Sequence, residues 1–108
     1  MANGVLGKSD LSANTNTSLY TVPTGEYTIA TINICNRGSA TSNVRVAIAA
    51  TGTPANSEYI EYDVALAPKG VLERTGVVVG EDQIIVVRSS QASVTAMAYG
   101  IETALPTT

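Results

Sequence analysis

Along most of this chain apolar residues recur at every second position, which is the strand period and leaves little room for helices. Asn43 to Ala50 is the cleanest run, with Val44, Val46 and Ile48 on one side and Arg45, Ala47 and Ala49 on the other. Glu26 to Asn36 sets Ala30, Ile32 and Ile34 against Ile29, Thr31, Asn33 and Cys35. Ser57 to Leu66 turns Ile60, Tyr62, Val64 and Leu66 inward and Tyr59, Glu61, Asp63 and Ala65 outward. Val94 to Ile101 alternates Thr95, Met97, Tyr99 and Ile101 against Val94, Ala96, Ala98 and Gly100. Two more runs, Thr17 to Val22 and Val71 to Val79, are strands; the second is interrupted at Gly76, where a bulge is expected. Gln83 to Ser89 contains Ile84, Ile85, Val86 and Val87, apolar on both faces, so it belongs in the middle of a sheet.

Turn chemistry separates these runs. Pro23 to Gly25, Asn36 to Ser39, Thr51 to Pro54, Pro68 to Gly70 and Gly80 to Asp82 each combine residues that preset or tolerate turn dihedrals. Six or seven β-rich runs at this spacing predict an all-β domain, an antiparallel two-sheet β-sandwich of about 7–8 strands. Jelly-roll and immunoglobulin-like strand orders both fit the pattern. With 108 residues there is room for one such domain, placed at 17–102. Residues 1–16, rich in small and polar side chains, read as an extended N-terminal arm, and 103–108 as a C-terminal tail. Val5, Leu6 and Leu11 are the arm's candidate anchors, because a solvated linker has no need of apolar side chains.

Charged residues reach 14% of the chain, about half the usual ~25%. The exterior is therefore neutral and polar, and inexpensive to desolvate against a neighbour. A net charge of −3 with six scattered Lys and Arg gives no footprint for phosphates, so no direct nucleic-acid partner is expected. No run approaches the ~20 apolar residues of a membrane helix, so no membrane partner is expected either. Cys35 is the single cysteine, and an intrachain disulfide is impossible.

The sequence contains no histidine. That removes the commonest general base and the Ser-His and Cys-His dyads. No phosphate-cradling glycine loop or dinucleotide fingerprint is present. The expectation is a non-enzyme with no cofactor. Glu58, Glu61 and Asp63 are the carboxylates to weigh as a calcium set, against a solvated acidic stripe. Tyr62 and Tyr99 are expected in the core. Tyr20, Tyr27 and Tyr59 remain as surface platforms for sugars or proteins, and Tyr59 fits a protein contact best. Glu73 and Arg74 point to opposite faces of one strand and are candidates for pairing across strands or across subunits.

The ordered series Leu19-Tyr20-Thr21-Val22-Pro23, Ile32 to Gly38, Val44 to Ala49, Gly52 to Pro54, Tyr59 to Asp63, Gly70 to Gly76 and Tyr99 to Glu102 resembles small virion proteins of tailed bacteriophages. The resemblance covers about Leu19 to Glu102 and carries no catalytic motif. It implies a capsid decoration (cement) protein on the outer surface of the virion, made in the host cytoplasm. Its partner would be the major capsid protein; other copies of itself are a further expected partner, through edge strands that pair by main-chain hydrogen bonds into a dimer or trimer. A neck or tail component and a surface carbohydrate-binding module are the alternative roles. The interface candidates carried forward are Val5, Leu6, Leu11, Tyr59, Glu73 and Arg74.

Overall fold

A computed structural model describes residues 2–106 as two antiparallel four-stranded sheets packed face to face. The strands are β1 (Asn3–Leu11), β2 (Thr17–Thr21), β3 (Glu26–Asn36), β4 (Ser42–Ala49), β5 (Tyr59–Leu66), β6 (Val71–Val79), β7 (Ile84–Ser89) and β8 (Val94–Ala104). One sheet has the order β1-β8-β3-β6 and the other β2-β7-β4-β5. Four of the pairings nest inside one another: β1 with β8, β2 with β7, β3 with β6 and β4 with β5. A long hairpin rolled around a core gives that order, which is the jelly roll and not the immunoglobulin arrangement.

Alternation builds the core. Ala30, Ile32 and Ile34 of β3 meet Val44 and Val46 of β4, Ile85 and Val87 of β7, and Val94, Ala96 and Ala98 of β8. The β7 strand lies between β2 and β4, and its Val86 is buried on the outward side, so it is covered on both faces. Asn36 closes one end of the sandwich. Its buried side chain donates to the carbonyls of Ala40 and Leu66 and accepts from the Gly38 amide, pinning the turn into β4 to the end of β5.

Residues 3–11 differ from the expected arm. They form β1, register-paired along β8 from Asn3 opposite Ile101 to Leu11 opposite Val94. Leu11 is a buried core residue and Leu6 packs against the core, whereas Val5 stays exposed. The small polar residues that suggested a loose arm suit a two-sided edge strand. Gly7 lies so close to β2 that a Cβ there would fall 2.1 Å from the Leu19 carbonyl oxygen. The expected tail is also partly structural: Thr103 and Ala104 belong to β8, and the Leu105 amide donates to the Gly25 carbonyl. Met1, Thr107 and Thr108, the extremities of that arm and tail, lie outside the described residues.

Candidate functional site

Every edge strand of the two sheets is broken in register, while the central pairs run without interruption. Shifts occur in β1 at Val5/Gly7, in β2 at Ser18/Tyr20, in β6 opposite Thr31, and twice in β5. The β3·β8 and β4·β7 ladders contain none. Bulges at an edge twist its free N–H and C=O groups out of line and discourage strand addition. What this molecule offers to a partner is therefore its outward faces.

The outward face of the β1-β8-β3-β6 sheet is the more apolar. Of the six large hydrophobics that stand well exposed among the described residues, Val5, Ile29, Val71, Val78 and Ile101 lie on it. Register places Asn3, Ile101, Ile29 and Val78 in one row across four strands, with Val5, Tyr99 and Thr31 in the next. Val78 is 66% exposed and Ile101 55%. Farther along the strands comes the row Lys8, Met97, Asn33 and Glu73, then Asp10, Thr95, Cys35 and Val71. Tyr99, expected inside, stands on this face because Ala96 and Ala98 take the inward positions. Its hydroxyl donates to Glu73, which together with burial pushes the Tyr99 phenol above its ordinary range.

The opposite outward face, on β2-β7-β4-β5, is partly roofed. Ala47, Ala49 and Val86 are buried there against Tyr59 and Ile84, and the turn at Gly52 comes against Ser18 of β2. Beyond the roof, β5 carries its two bulges. Asp63 has φ +52°, and Tyr62 and Asp63 together span the single position opposite Arg45, between the pairs Val44–Val64 and Val46–Glu61. The slip turns Tyr62 out of the core, where alternation put it, to 56% exposure. Tyr59 lands on the same face, edge-on to Tyr62 with ring centroids 4.9 Å apart. The Arg45 guanidinium lies 4.2 Å from the Tyr62 centroid and donates through two nitrogens to the Asp63 carboxylate, at 2.6 and 3.2 Å. That fork holds the Asp63 carboxyl below its usual range. Arg88 is the cross-strand neighbour of Arg45. A second guanidinium therefore stands beside the Arg45–Asp63 pair.

The remaining sequence candidates are absorbed by the fold. Arg74 points inward at the sheet edge and pairs with Glu61 of β5 at 3.2 Å, tying the two sheets together. Glu73 faces outward beside Tyr99. The three carboxylates weighed for calcium go to three separate partners: Glu61 to Arg74, Asp63 to Arg45, and Glu58 to the amides of Ala50 and Ala55. Among the described residues no three His, Cys, Asp or Glu side chains converge on a common point. Tyr20 is no platform either. It faces inward from β2, and its hydroxyl donates to Glu102 of β8, so the Thr28 hydroxyl at 2.8 Å is the donor to Tyr20. Alternation could not reveal this tie because Glu102 occupies an inward position usually given to an apolar residue. A shallow cleft of about 260 Å³ lined by Gly38, Ser39, Ala40, Gln91, Ala92 and Ser93 has no ionisable side chain. It falls short of the ~300 Å³ at which ligand pockets begin. Among the described residues no helix is long and apolar enough to cross a membrane. No family model matches the chain, and no curated protein is significantly similar to it.

Proposed function

We propose that this domain is a structural protein of a tailed-bacteriophage particle that adheres to the capsid surface and cements neighbouring capsid subunits, working by adhesion and not by catalysis. The observation that carries the adhesive part is the pair of outward faces just described. One is apolar, the other presents Tyr59, Tyr62 and Arg45 in a pre-ordered cluster, and both lie between edges whose bulges discourage strand addition. Tyr and Arg are the residue types that dominate binding energy at protein interfaces. Here the Arg45 fork and the edge-on ring contact have already removed much of their freedom, which lowers the cost of ordering on binding. The phage assignment rests on the residue series from Leu19 to Glu102 and on the jelly roll, an architecture that recurs in viral capsid domains; the latter is support by analogy.

Cementing requires contacts that are individually modest and collectively tight. An interface of about 800 Å² per partner is enough for specificity, and a second contact to the same particle becomes effectively intramolecular. Arg45 and Arg88, adjacent across β4 and β7 beside Tyr62, fit a carboxylate-bearing stretch of the capsid subunit. The decisive measurement is the number of copies per particle by quantitative mass spectrometry. Decoration requires hundreds, as icosahedral symmetry multiplies each site, whereas a ring of about a dozen or fewer would make this a neck or tail component. Tyr62→Ala should weaken capsid attachment by about 2 kcal/mol per contact, read as lost occupancy on expanded capsids. Particles lacking the protein should rupture more readily under osmotic shock.

A further inference from the structure

We infer that the outward face of the β1-β8-β3-β6 sheet docks on the same face of a second copy, across a two-fold axis running along the strands. The inference stands on this chain's own surface and does not depend on the capsid assignment. The charges on this face are self-complementary. Lys8 on β1 and Glu73 on β6 occupy opposite ends of one register row, with Met97 and Asn33 between them. A two-fold axis parallel to the strands reverses left and right while keeping each row opposite itself. Lys8 of each copy then meets Glu73 of the other, giving two ion pairs per dimer.

Apolar side chains are distributed unevenly along the strands of this face. The rows Asn3–Ile101–Ile29–Val78 and Val5–Tyr99–Thr31 hold four of the five exposed large hydrophobics and form the more apolar half, while the rows starting at Lys8 and Asp10 hold only Val71 and form the more polar half. The same axis lays apolar half on apolar half, with Ile101 of one copy on Ile29 of the other. An axis perpendicular to the strands would instead set the apolar half on the polar half and separate Lys8 from Glu73. Both distributions therefore select the same symmetry operator. Sheets packed this way cross at about 30° or less, a deviation that a lysine side chain spans.

Size agrees. Four strands ~4.8 Å apart and about ten residues long at ~3.3 Å each cover roughly 600 Å² of plane. Side-chain relief raises the accessible area toward the ~800 Å² per partner of a standard interface. The bulged β1 and β6 edges favour this face-on association over strand pairing. In the dimer the Tyr62 patches, on the far sheets, point away from each other and remain free.

The test is sedimentation equilibrium of the purified full chain across a wide concentration range. A monomer–dimer equilibrium is expected. Ile101→Glu should shift it to monomer, and Lys8→Glu should raise the dissociation constant about tenfold or more through like-charge juxtaposition. The double exchange Lys8→Glu with Glu73→Lys should restore dimerisation, which a merely misfolded variant could not do. Circular dichroism of each variant checks the fold. A chain that stays monomeric at the highest concentration, a dimer indifferent to Ile101→Glu, or a double exchange no better than Lys8→Glu would each overturn the proposal.

Discussion

Tyr20 and Glu102 form the polar tie most exposed to pH. The Glu102 carboxylate accepts from the Tyr20 hydroxyl and from the Ala2 amide at 2.6 Å, and these bonds hold it below the ordinary 4.5. Its contribution to stability is therefore complete above 4.5 and lost as pH falls through the depressed folded value. Tyr20 behaves oppositely. Burial, then the bond to Glu102, pushes its phenol from 10.0 to about 12, so its contribution is complete below pH 10.0 and lost as pH rises through about 12. Urea midpoints measured across pH should fall at both ends. Glu102→Gln should flatten the acid side, and Tyr20→Phe the alkaline side. At neutral pH Tyr20→Phe should also cost about 1.5–3 kcal/mol, the worth of a hydrogen bond to a charged group. An unchanged alkaline limb in Tyr20→Phe would remove Tyr20 from this role.

Much of each strand is legible because burial alternates and the sequence alternates with it: the two faces of β3 and β4 are those the pattern separates, whereas on β8 the small residues Val94, Ala96 and Ala98 turn inward and Tyr99, expected inside, turns out. What escaped is where a strand slips. Gly76 announced its bulge, since its φ of +65° is one that glycine adopts freely. Asp63 gives no such signal, so alternation places Tyr62 in the core whereas it stands on the surface. The edge character of β1 was hidden for a related reason, because a strand with a Gly4–Gly7 irregularity and only two core contacts has a weak period. Two substitutions separate backbone strain from steric closeness. Gly76→Ala meets nothing within 4 Å, so it should cost only the left-handed penalty of about 1–2 kcal/mol. Gly7→Ala must part β1 from the Leu19 carbonyl, and should cost at least the ~1–3 kcal/mol of overpacking. Equilibrium denaturation of the two variants checks the order; a harmless Gly7→Ala would mean that β1 and β2 are not in close approach.

The nested pairings make the termini of the chain partners, so β1 is the last layer of the roll and not an appendage. Removing residues 2–11 would strip β8 of one of its two neighbours and take Leu11 and Leu6 from the core. Burying a leucine fully, as at Leu11, is worth about 1.5–3 kcal/mol, and the half-buried Leu6 adds less, against the 5–15 kcal/mol by which domains of this kind are stable. The strand laid bare would be β8, eleven residues long with an unbroken register to β3, and a long regular edge is a template for aggregation. A free arm would behave differently: its loss would leave Tm nearly unchanged and affect only attachment. The roll therefore predicts that the truncated chain loses at least ~10 °C in Tm, from about 4–8 °C per kcal/mol for domains near this size, and associates in a concentration-dependent way. Scanning calorimetry with light scattering separates the two cases. An intact, monomeric truncated domain would mean that the seven remaining strands hold the fold without β1, and that its long pairing with β8 serves something other than stability.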